Sequence, residues 1–166
     1  MEEYELAIKM AQDLLRNHID PKYVYHNYDH TLNVVKAAHI IGFHSKLSKK
    51  DLDLLIMAAW FHDVGYCSGH LSHEESSVKI ASRILSTVDF SREDIDKISL
   101  AILSTSMPQN PTTDIAKCLC DADLYHLSQP DYKMTCGLLR QELDIVNGTA
   151  YTDEQWCEEN KNFMSS

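Results

Sequence analysis

Leu54-Leu55-Ile56-Met57-Ala58-Ala59-Trp60-Phe61-His62-Asp63-Val64-Gly65 is the stretch on which the reading of this chain turns. Its unbroken apolar run, Leu54 to Phe61, is far shorter than the roughly 20 residues a helix needs to cross a bilayer. It follows Ser48-Lys49-Lys50-Asp51, a capping box with Asp in place of Glu. The segment is therefore predicted to be a helix that opens after Ser48, with Gly65 expected to end it. The chain leaves this apolar run on His62-Asp63, two residues that bind metals and move protons.

The same period-3.6 pattern extends in both directions. Residues 3–18 carry Leu6, Ala7, Met10, Ala11, Leu14 and Leu15 at three- and four-residue steps, stopped by Asp20-Pro21. Residues 28–43 read as a second helix and 74–86 as a fourth, and Ser91 caps a fifth through Ile95, Ile98 and Ile102. Pro108 and Pro111 bracket a loop; residues 114–127 and 131–146 follow as helices, and Thr152-Asp153-Glu154-Gln155 caps a last one. No alternating strand pattern and no internal repeat is found. The expected class is all-α: one compact helical domain spanning residues 1–166, with its informative motifs within 26–123. The periodic pattern of the last helix has scarcely begun at Trp156 and Phe163 when the chain ends, so a trimmed or continuing C-terminal helix is an expectation.

Fifteen Lys+Arg against twenty-five Asp+Glu give a formal charge of −10, which argues against gripping nucleic acid by a basic patch. Five Cys without a CxxC pair suggest neither a disulfide framework nor a zinc ribbon, and a reducing cytoplasm fits them. The acidic start Met1-Glu2-Glu3 is unlike a signal peptide, and no membrane segment is expected. Nine His in so acidic a chain is the unusual count.

Three places gather ligand chemistry. Tyr25-His26-Asn27-Tyr28-Asp29-His30 places two His four apart, on one face if the stretch is helical; the second place is His62-Asp63. The third is Cys120-Asp121-Ala122-Asp123-Leu124, where carboxylates interrupt an apolar helix face. Carboxylates in a buried stretch are costly unless paired or bound to a cation. One divalent ion would account for all three, and imidazole with carboxylate suits Mn, Fe, Co, Ni, Zn or Mg. Water activated by such an ion makes hydrolysis the implied chemistry.

The ordered set Tyr25-His26-Asn27-x-x-His30, Phe61-His62-Asp63-Val64 and Ala122-Asp123-Leu124 resembles the HD superfamily of metal-dependent phosphohydrolases, the first phrase being similar to a motif of cyclic nucleotide phosphodiesterases. The resemblance implies His30, His62, Asp63 and Asp123 as metal ligands, with Asp63 bridging if a second ion binds. It implies His26 as the general acid on the leaving oxygen. Asp123 is favoured over Asp121 because the family's Asp follows a small residue and precedes Leu, which leaves Asp121 beside the ligand sphere or capping. His73 and Glu74 are candidates for a second metal or for positioning water, and His70 could reach the site from the loop after the doublet. His126 could touch substrate. Ser104-Thr105-Ser106 stands where branches with a full dinuclear cluster place His.

The implied substrate is a small phosphorylated molecule, nucleotide-like, with a phosphodiester favoured slightly over a monoester. Nucleotide 5′-phosphatases and guanosine tetraphosphate hydrolases share the ligand set. The rival from another class is a non-catalytic module that keeps the metal for sensing or stability. Neither the pattern nor the resemblance identifies substrate-binding residues.

Overall fold

Helices form where capping and periodicity place them. The computed structural model describes residues 2–165. Among these the order is α1 (Glu2–Asn17), α2 (Tyr28–His44), α3 (Lys49–Phe61), α4 (His73–Thr87), α5 (Arg92–Leu103), α6 (Asp114–Asp123), α7 (Tyr132–Asn147) and α8 (Asp153–Ser165). Short 3-10 turns, Val64–Ser68 and Leu124–Ser128, follow α3 and α6, and no strand occurs among the described residues. Ser48 Oγ accepts the Asp51 amide at 3.1 Å and Ser91 Oγ the Asp94 amide at 3.1 Å. At α8 the box is reciprocal: Gln155 N donates to Thr152 Oγ1 and Thr152 N to Gln155 Oε1.

α3 is the axis of the fold. Every residue from Leu54 to Phe61 is buried, so this helix is apolar on all sides because it is surrounded. It packs against α1, α2, α4, α5 and α6, while α2 and α6 also pack on each other. α4 lies against the turn Val64–Ser68 and against α5. α7 packs on the turn Leu124–Ser128. α8 is fastened to α7 by Arg140, whose guanidinium reaches Asp153 Oδ1 at 2.7 Å and the Tyr151 carbonyl, and by the Tyr151 amide donating to Asp144 Oδ1 at 2.8 Å. No described helix is long and apolar enough to cross a membrane, and all five Cys are free thiols.

Three expectations need correction. Gly65 does not end α3, which stops at Phe61; it sits inside the following 3-10 turn, where its amide donates to Ser77 Oγ at 2.8 Å. Its missing side chain is used for close approach, since a Cβ there would lie 1.9 Å from the His73 carbonyl oxygen. The sixth helix ends at Asp123 and tightens into a 3-10 turn, a common helix ending, and that turn carries Leu124, His126 and Leu127 onto a cavity wall. His26 and His30 do not share a helix: Asn27 is the N-cap of α2, with extended backbone and its Oδ1 accepting from the Asp29 and His30 amides. His26 therefore lies in the turn before the helix. α8 runs Asp153–Ser165, and its Trp156 and Phe163 line the cavity.

Candidate metal centre and adjoining cavity

Four elements bring the ligand-type side chains together. His30 stands in the first turn of α2, held in register by the Asn27 cap. His62 is the C-cap of α3, Asp63 is the next residue, and Asp123 closes α6. His30 Nε2 lies 3.2 Å from Asp123 Oδ1 and 3.4 Å from Asp63 Oδ2. His62 Nε2 lies 3.2 Å from Asp63 Oδ2 and 3.6 Å from Asp123 Oδ1. One ligand atom each from His30, His62 and Asp123 falls within 4.8 Å of the others, a group that could hold a metal ion.

Two features test whether these residues fit a cation. His30 Nε2, His62 Nε2 and Asp63 Oδ2 are buried without a hydrogen-bond partner, an arrangement that is costly unless something else occupies their centre. The second is orientation. His62 Nδ1 lies 2.8 Å from the Ala59 carbonyl, to which it donates, so Nε2 is the atom turned to the cluster and the one that would ligate an ion once its proton is displaced. The set is two imidazoles and two carboxylates, suited to a divalent ion.

Charge in this cluster is strongly interdependent. Burial opposes the charged form of His30, but the Asp123 and Asp63 carboxylates outweigh it and raise its pKa from the ordinary 6.5 to about 9. His62 is likewise raised, burial being overcome chiefly by Asp63. Burial would raise Asp63 and Asp123, yet the imidazoles beside them hold both well below the usual carboxylate range. A divalent ion must displace the imidazole protons. Metal uptake near pH 7 is therefore expected to release protons and to tighten as pH rises toward 9, measured by calorimetry in buffers of differing ionisation enthalpy; uptake without proton release would contradict the arrangement. In the metal-free protein the protonated His30 imidazole stabilises the fold fully below its unfolded pKa, and that contribution is lost as pH rises through about 9; His62 acts in the same direction.

Around the cluster the sequence candidates separate. Asp123 points in, whereas Asp121, two residues earlier and so on another helix face, is exposed. His73 Nε2 is 3.6 Å from Asp63 Oδ1 and His73 Nδ1 is 3.5 Å from Glu74 Oε2, placing both at the cluster's open side. His70 is exposed, and its part in the cluster is the backbone carbonyl 3.2 Å from His73 Nδ1. His126 Nδ1 is 3.3 Å from the Tyr25 hydroxyl, and burial lowers the pKa of His126. Thr105 lines the same cavity.

Glu142 on α7 was not legible as a site residue. It is 2% exposed and accepts the backbone amides of Tyr25 at 2.8 Å and His26 at 2.9 Å, and its Oε1 takes the His26 Nδ1 proton contact. Despite burial, these contacts, the His26 side chain foremost, hold the Glu142 carboxyl below its usual range. The ring of Tyr66 stacks on His26 with centroids 4.5 Å apart and planes 12° from parallel. The available signal was an acid set between Leu139 and Leu143 on the apolar stripe of α7. With Nδ1 engaged, Nε2 is the His26 nitrogen left to face the cavity of about 290 Å³ that His26, Leu139 and Leu143 line.

The family model of the HD domain matches residues 27–128, and the chain belongs to that family. Among solved structures it is similar to a predicted HD superfamily hydrolase from an uncultured Thermotogales bacterium, at 24% identity and a TM-score of 0.64, over 96% of this chain and 85% of that one. That likeness is one of fold. No curated protein matches the chain.

Proposed function

We propose that this protein is a metal-dependent phosphohydrolase of a small phosphorylated molecule, nucleotide-like, and that His30, His62, Asp63 and Asp123 hold its divalent ion. The observation that carries the reading is His26, fixed by Glu142 beside a cluster of unpartnered ligand atoms. A divalent ion held there supplies Lewis acidity toward a phosphoryl oxygen and lowers the pKa of water. The protein's own groups do the rest. His26 Nε2 protonates the leaving oxygen, while Glu142 fixes the ring's orientation. Tyr66 covers one face of that ring, and His73 with Glu74 can orient water at the open side. Tyr25-His26-Asn27 resembles the phosphodiesterase phrase, which favours a phosphodiester slightly; the absence of a transmembrane-length helix among the described residues and the free thiols suit a cytoplasmic enzyme.

Turnover of a phosphodiester, a monoester and a nucleotide panel with each divalent ion tests this. His26→Ala is expected to lower turnover about 10³-fold with metal binding retained. Glu142→Gln is expected to lower it roughly 10- to 100-fold, because the His26 ring loses the carboxylate that fixes its orientation. No hydrolysis with any ion would favour the non-catalytic module.

A further inference from the structure

The cavity beside His26 has a chemical character of its own. Beyond the metal cluster its wall is apolar, made by Met107, Leu127, Leu139, Leu143, Trp156 and Phe163. Among the described residues the lining contains no Lys or Arg, and its charged members besides histidine are Asp63 and Asp123 of the cluster and, beyond it, Glu74 and Glu159. Outside the lining, Lys22 pairs with Asp20 and Lys117 with Asp114. Arg140 is committed to Asp153 and the Tyr151 carbonyl, and Arg16 lies over the Tyr28 ring, 3.7 Å from its centroid. A second phosphate or a carboxylate on the substrate, placed in this chamber away from the metal cluster, would meet Glu74 and Glu159 with no Lys or Arg of the lining to pair with.

Outside the metal cluster, one polar side chain described in the wall lacks a partner. Gln109 lines the cavity, and its side-chain nitrogen is buried without a hydrogen bond. An amide donor left so is unfavourable unless a ligand supplies an acceptor.

From charge, apolar lining and this orphaned donor together, we infer that the chamber binds the leaving-group body of the substrate, an uncharged ring-bearing group with a hydrogen-bond acceptor read by Gln109, and that the substrate carries a single phosphoryl group. This rests on the hydrolase reading for the word substrate; the ligand preference of the chamber does not. Trp156 and Phe163, seven apart on α8, supply the flat apolar contact. Gln109 is thus a specificity-determining residue, since a buried donor left unpaired penalises a ligand lacking the acceptor.

The test is calorimetric binding to the metal-free full chain of three matched alcohols: 4-acetylbenzyl, 4-ethylbenzyl and 4-carboxybenzyl alcohol. The acetyl compound is expected to bind about tenfold more tightly than the ethyl compound, and the carboxylate not measurably. Gln109→Leu should remove the acetyl preference while ethyl binding stays within about twofold, and Trp156→Ala should weaken both neutral ligands. Circular dichroism checks that each variant is folded. Absence of saturable binding by any neutral ring, tightest binding of the carboxylate, or an acetyl preference that survives in Gln109→Leu would overturn the inference. Turnover of the corresponding phosphates with metal added reports separately: binding without hydrolysis counts against the phosphohydrolase, and hydrolysis without neutral-ring binding counts against the chamber.

Discussion

Asp63→Ala is expected to reduce turnover by about 10⁴-fold or more and to weaken divalent-metal binding about a thousandfold, the largest effect of any single substitution in the site. Asp63 Oδ2 lies beside both imidazoles, 3.2 Å from His62 Nε2 and 3.4 Å from His30 Nε2, while its Oδ1 lies 3.6 Å from His73 Nε2. Removing it deletes a ligand charge and leaves the two imidazoles with Asp123 alone. A buried cation site loses more from a missing anion than a surface pair does, because solvent cannot replace it. The metal-free variant should bind fewer protons near neutral pH, since Asp63 is among the groups raising His30 and His62. Asp63→Asn separates charge from shape: the same loss is expected with native-like circular dichroism. Metal content and kinetics measured side by side make the check, and retention of full metal and activity in Asp63→Ala would refute the ligand assignment.

Gly65→Ala is expected to cost about 4 kcal/mol, a fall in Tm of roughly 10 °C for a chain of this size. An added Cβ would meet the His73 carbonyl oxygen at 1.9 Å and the Ser77 amide nitrogen at 2.8 Å, both backbone atoms that cannot rotate aside. The start of α4 must then retreat, breaking the 2.8 Å bond from Gly65 N to Ser77 Oγ and carrying His73 and Glu74 away from Asp63. Activity should fall with stability. Gly137→Ala is the control: it is an exposed helical glycine with open space around a built Cβ, and it should stabilise by about 0.5–1 kcal/mol. Urea denaturation of the metal-free proteins distinguishes the two. Equal effects would mean that the approach of α4 to the turn is not tight.

These two positions also show what could be read from sequence. His62 and Asp63 announced themselves because ionisable residues at the end of an eight-residue apolar run have few inexpensive explanations. The helices were legible for the related reason that Ser48, Ser91 and Thr152 cap them and periodicity fills them. Gly65 was visible as a glycine but not as a contact point, since close approach depends on α4, twelve residues away at Ser77. Glu142 was hidden by distance: its partners Tyr25 and His26 lie 117 and 116 residues earlier, and no local pattern couples them. The cavity wall was hidden likewise, because α8 reaches the site only after the chain has gone round the bundle. Asn27 was read as part of a motif, and its capping role, which takes His26 off the helix, emerged only from the backbone.

The account predicts that one divalent ion sits among His30, His62, Asp63 and Asp123. A crystal soaked in Mn²⁺ and measured at the manganese absorption edge tests this most directly. The expected result is an anomalous peak within about 2.0–2.3 Å of His30 Nε2, His62 Nε2 and one oxygen each of Asp63 and Asp123. A peak elsewhere, or none at saturating Mn²⁺, would contradict it.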